Sequence, residues 1–163
     1  MGMLLNPETA TNADGIILSN VTRLGLGTAQ FGMRYGIANR TGQVGHDEGA
    51  AMLRYAGEVG IRLIDTAMAY GESEACLGQL GVSTIQVVTK LGNVPAGMSP
   101  ALVRDFVRKS VAGSLARLQI PRLYALLLHR PEQLSGPLSA SLVQALLKLK
   151  LLHAPVWVVR DET

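Results

Sequence analysis

The chain has 163 residues, 48% of them hydrophobic and 17% charged, with a formal net charge of +3. This composition supplies a core and excludes general disorder. The basic residues are dispersed without a run of five, which excludes a nucleic-acid footprint. Cys76 is the only cysteine, which excludes an internal disulfide and a cysteine-type zinc site and fits a reducing cytoplasm.

The length suits one domain or part of a larger one. Met1 to Val21 holds no lysine or arginine and so lacks the basic start of a secretory signal. The apolar run from Leu134 to Leu147 contains serines and Gly136-Pro137 and is too short to span a bilayer. The expectation is a soluble, cytoplasmic protein with no membrane and no nucleic-acid partner. The histidines, His46, His129 and His153, are too scattered to suggest a metal site.

Met1 to Asn20 is weakly patterned, with turn signals and a short strand candidate at Ile16 to Leu18. Thr22 to Gly27 reads as the first core strand and leads through Thr28 to Gly32 into a glycine-rich loop, Tyr35 to Gly45. Its glycines suit either plain turns or close approach to a ligand. His46 to Val59 is predicted helical, with Asp47 and Glu48 in the first turn, where the helix dipole favours acids. Leu53, Ala56 and Val59 form its apolar stripe, and Gly60 ends it.

Ile61 to Ile64 is the second strand, followed by Asp65, a loop to Tyr70-Gly71, and a short helix from Glu72 to Leu80. Thr84 to Thr89 is a third strand, β-branched as in a buried parallel sheet, and delivers Lys90. Ser99 is a good N-cap with Pro100 behind it. The helix predicted to Leu118 carries Val103, Val107, Val111, Leu115 and Leu118 on one core-facing side. Leu123 to Leu128 is the fourth strand and delivers His129. A helix from Ser139 to about Leu152 presents Leu142, Leu146 and Leu149, and Ala154 to Val159 reads as a fifth strand.

Strands alternating with helices mean βαβ units and a parallel sheet, either an open doubly wound sheet or a (β/α)₈ barrel. In a barrel, groups at the C-terminal strand ends share one face. Asp65, Tyr70, Lys90 and His129 each follow a predicted strand. A phenol is a weak acid near neutrality. An ammonium beside it favours phenolate, a carboxylate beside the ammonium holds it, and an imidazole can orient a substrate oxygen. Together they could protonate an oxygen that is gaining negative charge, as carbonyl reduction requires. Singly, each has a plain structural reading: a turn cap, a half-buried edge residue, a solvated lysine, a loop histidine satisfied by backbone. The combination carries the case.

The chain also resembles the aldo-keto reductases over about residues 22 to 150. The matching pieces are Leu24 to Gly32, Ile64-Asp65-Thr66-Ala67 with Tyr70-Gly71, Ser73-Glu74 and Leu77-Gly78, then Val88 to Gly92, then Ser114-Leu115 through Leu127-Leu128-His129-Arg130-Pro131. The resemblance implies an α/β fold, a parallel (β/α) barrel of the TIM type, binding NADPH at its C-terminal face and reducing aldehydes or ketones. It implies that Tyr70 is the proton donor, that Lys90 and Asp65 strengthen it as an acid, and that His129 positions the carbonyl. Gly27, Thr28 and Ala29, with Asp65, would lie near the nicotinamide.

A full barrel typically takes about 250 residues, and four βα units with one further strand fit in this chain. The expectation is a single incomplete barrel domain over 1–163, with a divergent tail, 151–163, produced by a frameshift or truncation. Exposed strand edges invite self-association. Two other readings stay open: a non-catalytic remnant or interaction module of the same fold, and a barrel lyase or isomerase using Lys90 as a Schiff-base amine.

Overall fold

The computed structural model describes residues 24–37 and 39–150. The strand candidate at Ile16 to Leu18, the fifth strand at Ala154 to Val159, and the tail 151–163 lie outside these residues. The described elements are β1 (Gly25–Gly27), α1 (Ala29–Gly32), α2 (His46–Glu58), β2 (Leu63–Asp65), α3 (Ser73–Leu80), β3 (Gln86–Leu91), α4 (Pro100–Leu118), β4 (Ala125–Leu128), a 3₁₀ turn (Pro131–Ser135) and α5 (Ser139–Lys150).

The strands form one sheet in the order β1-β2-β3-β4, and every pair is parallel. Chain order equals spatial order, with no reversal. A doubly wound sheet reverses its strand order at a switch point, so the sheet is wound in one direction, as in a barrel. The register places Leu26, Ile64 and Val87 side by side, and Thr89 beside Leu126. By strand alternation these residues share one face with Leu91 and Leu128. Ile64, Val87, Leu91 and Leu126 pack there into one core with Leu77 of α3, Val103, Val107, Val111 and Leu118 of α4, and Leu142, Ala145, Leu146 and Leu149 of α5. The opposite face, which becomes the lumen of a closed barrel, carries Gly25, Gly27, Leu63, Asp65, Val88, Lys90, Ala125 and Leu127.

Several boundaries differ from the sequence reading. Of the first strand predicted from Thr22, Thr22 and Arg23 lie outside the described residues, Leu24 is exposed, and β1 covers Gly25–Gly27. Asp65 and Lys90 lie inside strands rather than past their ends, paired with Gly27 and Leu127. The ladder runs on because the loop after β2 keeps bonding to β3: Thr66 N–H donates to Val88 O at 2.9 Å and Met68 N–H to Lys90 O at 3.2 Å. Ser99 holds the N-cap position of α4, but its hydroxyl makes no capping bond. The segment from Thr28 to Gly32, given no element in the sequence reading, holds the one-turn helix α1.

Two glycines set how closely elements approach. Gly32 of α1 lies against the turn before α3, where an added Cβ would collide with the backbone of Tyr70 and Ser73. Gly78 of α3 meets α4 in the same way, facing Arg117 O. Gly78→Ala is therefore expected to cost about 3 kcal/mol, because backbone rather than a flexible side chain must yield. Urea unfolding of the variant checks this.

Candidate active site

Four of the sequence-predicted residues converge at the C-terminal end of the sheet. β2 ends on Asp65, β3 carries Lys90 one strand over, the turn before α3 carries Tyr70, and His129 follows β4 directly. The Lys90 Nζ donates to Asp65 Oδ2 at 2.6 Å, to Thr66 O at 3.0 Å, and approaches the Tyr70 hydroxyl at 3.4 Å. An ammonium has three N–H donors, and here each has an acceptor. The Lys90 side chain is 17% exposed and that of Asp65 40%, so the pair opens to solvent from the carboxylate side.

Aromatic groups complete the site. The His129 ring meets Tyr70 edge-on, with centroids 5.8 Å apart, and Tyr35 lies tilted against Tyr70 at 6.4 Å. His129 N–H of the backbone donates to Leu91 O at 3.0 Å, which fixes the histidine to the end of β3. The ring nitrogen Nδ1 is buried and has no hydrogen-bond partner among the described residues. An unpaired buried polar atom costs stability, and such atoms concentrate at functional sites.

The residues named for the cofactor are placed differently from one another. Gly27 is on the lumen face, with open space where a Cβ would stand. Ala29 is half-buried. Thr28 is fully buried, and its hydroxyl donates to Asp65 O at 3.0 Å. Its side chain is thus committed to the protein, leaving only its backbone to meet a ligand.

The glycine-rich loop is ordered by Asn39. Its side-chain amide donates to Tyr35 O at 2.9 Å and Gly42 O at 2.7 Å, and its oxygen accepts from Gly42 N–H at 2.8 Å. Gly36 and Gly42 adopt φ of 101° and 92°, which suit glycine. The loop thereby brings Tyr35 to the site, a contact that no local pattern announces.

A cavity of about 580 Å³ lies between the loop after β3 and the turn after β4, lined by Val94, Pro95, Met98, Gln133, Pro137 and Leu138 among others. None of the four site residues lines it. Cys76 lies on α3, and burial pushes its thiol up, away from nucleophilic use. Among the described residues no cluster of acids, histidines or cysteines suits a metal ion, and no helix is long and apolar enough to cross a membrane.

The Aldo/keto reductase family matches residues 23–151 of this chain. The chain belongs to this family. It is 36% identical over 126 residues to an uncharacterized oxidoreductase of Mycobacterium tuberculosis, Rv2298, a match covering 74% of the chain and 36% of the relative. It is 40% identical over 91 residues to aflatoxin B1 aldehyde reductase member 2 of Rattus norvegicus, covering 51% of the chain and 24% of the relative. The PA4992 structure from Pseudomonas aeruginosa, of the same family, superposes with a TM-score of 0.65 at 30% identity, over 82% of this chain and 54% of that one. An aldo-keto reductase from Klebsiella pneumoniae, solved with NADPH, gives a TM-score of 0.58 at 25% identity, over 85% and 45% of the two chains. The chain thus spans about a third of that mycobacterial relative and about half of these solved structures. The four-stranded parallel sheet with its helices is part of the family's barrel, and the curated relatives are oxidoreductases.

Proposed function

We propose that this chain is the proton-donor part of an NADPH-dependent reductase of aldehydes or ketones. One observation carries the reading: a single ammonium, Lys90, bridges the Asp65 carboxylate and the Tyr70 phenol. A phenol oxygen beside an ammonium is stabilised once its proton has left. Tyr70 therefore gives its proton to the carbonyl oxygen as negative charge develops there. Asp65 and Thr66 O hold the ammonium from the other side. His129 orients the carbonyl oxygen, a role supported by its edge-on position against Tyr70.

Bound NADPH supplies the two electrons and the hydrogen for reduction. Gly27, Ala29, Asp65 and the Thr28 backbone would hold its nicotinamide end, and the open space at Gly27 suits a flat ring. The rat relative is named an aldehyde reductase and the Klebsiella neighbour was solved with NADPH, which supports the substrate class and the cofactor. The Schiff-base reading is disfavoured, since that chemistry wants a lysine free of acceptors. A cytoplasmic location accords with the single cysteine.

We further propose self-association. Among the described residues β1 and β4 each have one neighbour and one free edge, and a second copy could pair with both. The test is a fluorescence titration of the purified chain with NADPH, with its mass in solution recorded on the same sample. Saturable binding at a mass of two or more chains is the expected result. A folded chain that fails to bind NADPH would overturn the reductase reading, and binding by a monomer would overturn self-association alone.

A further inference from the structure

Three threonines sit next in sequence to the site residues: Thr28 follows Gly27, Thr66 follows Asp65, and Thr89 precedes Lys90. All three are fully buried. All three are gathered by the first two residues of α3. Ser73 Oγ lies 3.0 Å from Thr66 Oγ1, and 2.7 and 3.1 Å from Thr28 O and Thr28 Oγ1. Thr89 Oγ1 donates to Glu74 Oε1 at 2.6 Å. Glu74 is itself 1% exposed, and its second oxygen accepts from Ser114 Oγ at 3.1 Å and from Arg117 Nε and a terminal guanidinium nitrogen at 2.8 and 2.6 Å.

The arrangement has a consequence for the site. Successive strand residues point to opposite faces. Thr89 therefore faces the helices while Lys90 faces the lumen, and fixing one fixes the other. Ser73 N–H also donates to Tyr70 O at 3.1 Å, so the helix start that holds the threonines holds the tyrosine turn too. We propose that Ser73 and Glu74 are positioning residues, which fix Lys90 and Asp65 against Tyr70 from behind the sheet through Thr89, Thr66 and Thr28. The chemical importance of that placement rests on the reductase reading. The placement itself can be measured without turnover.

The experiment is competitive acetylation of the full chain by limiting acetic anhydride, with the labelling of Lys90 relative to exposed Lys109 read by peptide mass spectrometry. Thr89→Val removes the hydroxyl at nearly constant volume, and should raise the Lys90 to Lys109 ratio about three- to tenfold, the equivalent of one lost hydrogen bond. Thr89→Ser keeps the hydroxyl and should leave the ratio at its wild-type value. Val107→Ala weakens the same core without touching any of these hydrogen bonds and should leave the ratio unchanged, which separates positioning from general loosening. If Thr89→Val does not fold, Thr89→Ala carries the same expectation. An unchanged ratio in the folded Thr89 variant, or an equal rise in Val107→Ala, would overturn the proposal. A failure of wild-type NADPH-dependent carbonyl reduction would count against the reductase reading and leave this outcome standing.

Discussion

Tyr70→Phe should lower NADPH-dependent carbonyl reduction by about 10²- to 10⁴-fold, the range for losing a positioned general acid. The reason the fold should survive is local. Among the described residues the Tyr70 hydroxyl hydrogen-bonds only with Lys90 Nζ, at 3.4 Å, the long limit of a hydrogen bond. Phenylalanine keeps the ring that meets His129 and Tyr35. Lys90 keeps Asp65 and Thr66 O, so no charge is stranded. The stability change should stay within about 0.5 kcal/mol. Steady-state loss of NADPH absorbance measures the first quantity and urea unfolding the second. Wild-type turnover in a folded Tyr70→Phe variant would remove the assigned role.

The split between rate and stability explains what could be read in advance. Strand–helix alternation is a local pattern, so the four βα units were legible, down to the Val103, Val107, Val111 and Leu118 stripe. That Asp65, Lys90 and His129 come together was legible because polar residues interrupt apolar runs at strand ends, and Tyr70 joined them as part of the loop that follows Asp65. Their partners were not. Thr28, Thr66 and Thr89 look like ordinary β-branched residues, and nothing in their spacing says that a serine and a glutamate on one helix turn collect them. Ser73-Glu74 appeared in the sequence only as part of a resemblance, without a role. The signal available was a glutamate at the second position of a short helix with a buried face, since a carboxylate there needs partners. Boundaries failed for a related reason. Lys90 reads as the end of its strand because charge breaks the apolar run, yet β4 continues to pair beside it.

Glu74→Ala should destabilise the chain by about 4 kcal/mol, within the range for removing one partner of a buried ion pair. The loss exceeds that of a surface pair because of what the carboxylate leaves behind. Thr89 and Ser114 are both fully buried and would each lose an acceptor. Arg117 is 43% exposed and can turn to water, which keeps the cost from rising further. Glu74 also joins α3, β3 and α4, so its removal loosens three elements at once. Glu74→Gln keeps an oxygen for Thr89 but sets an amide donor among donors, and should recover only part of the loss. Arg117→Met, by contrast, leaves a buried carboxylate still held by two hydroxyls. Its stability should fall because the buried carboxylate has lost its counter-ion. Urea midpoints of the three variants at one pH would show whether charge, rather than volume, is what Glu74 contributes.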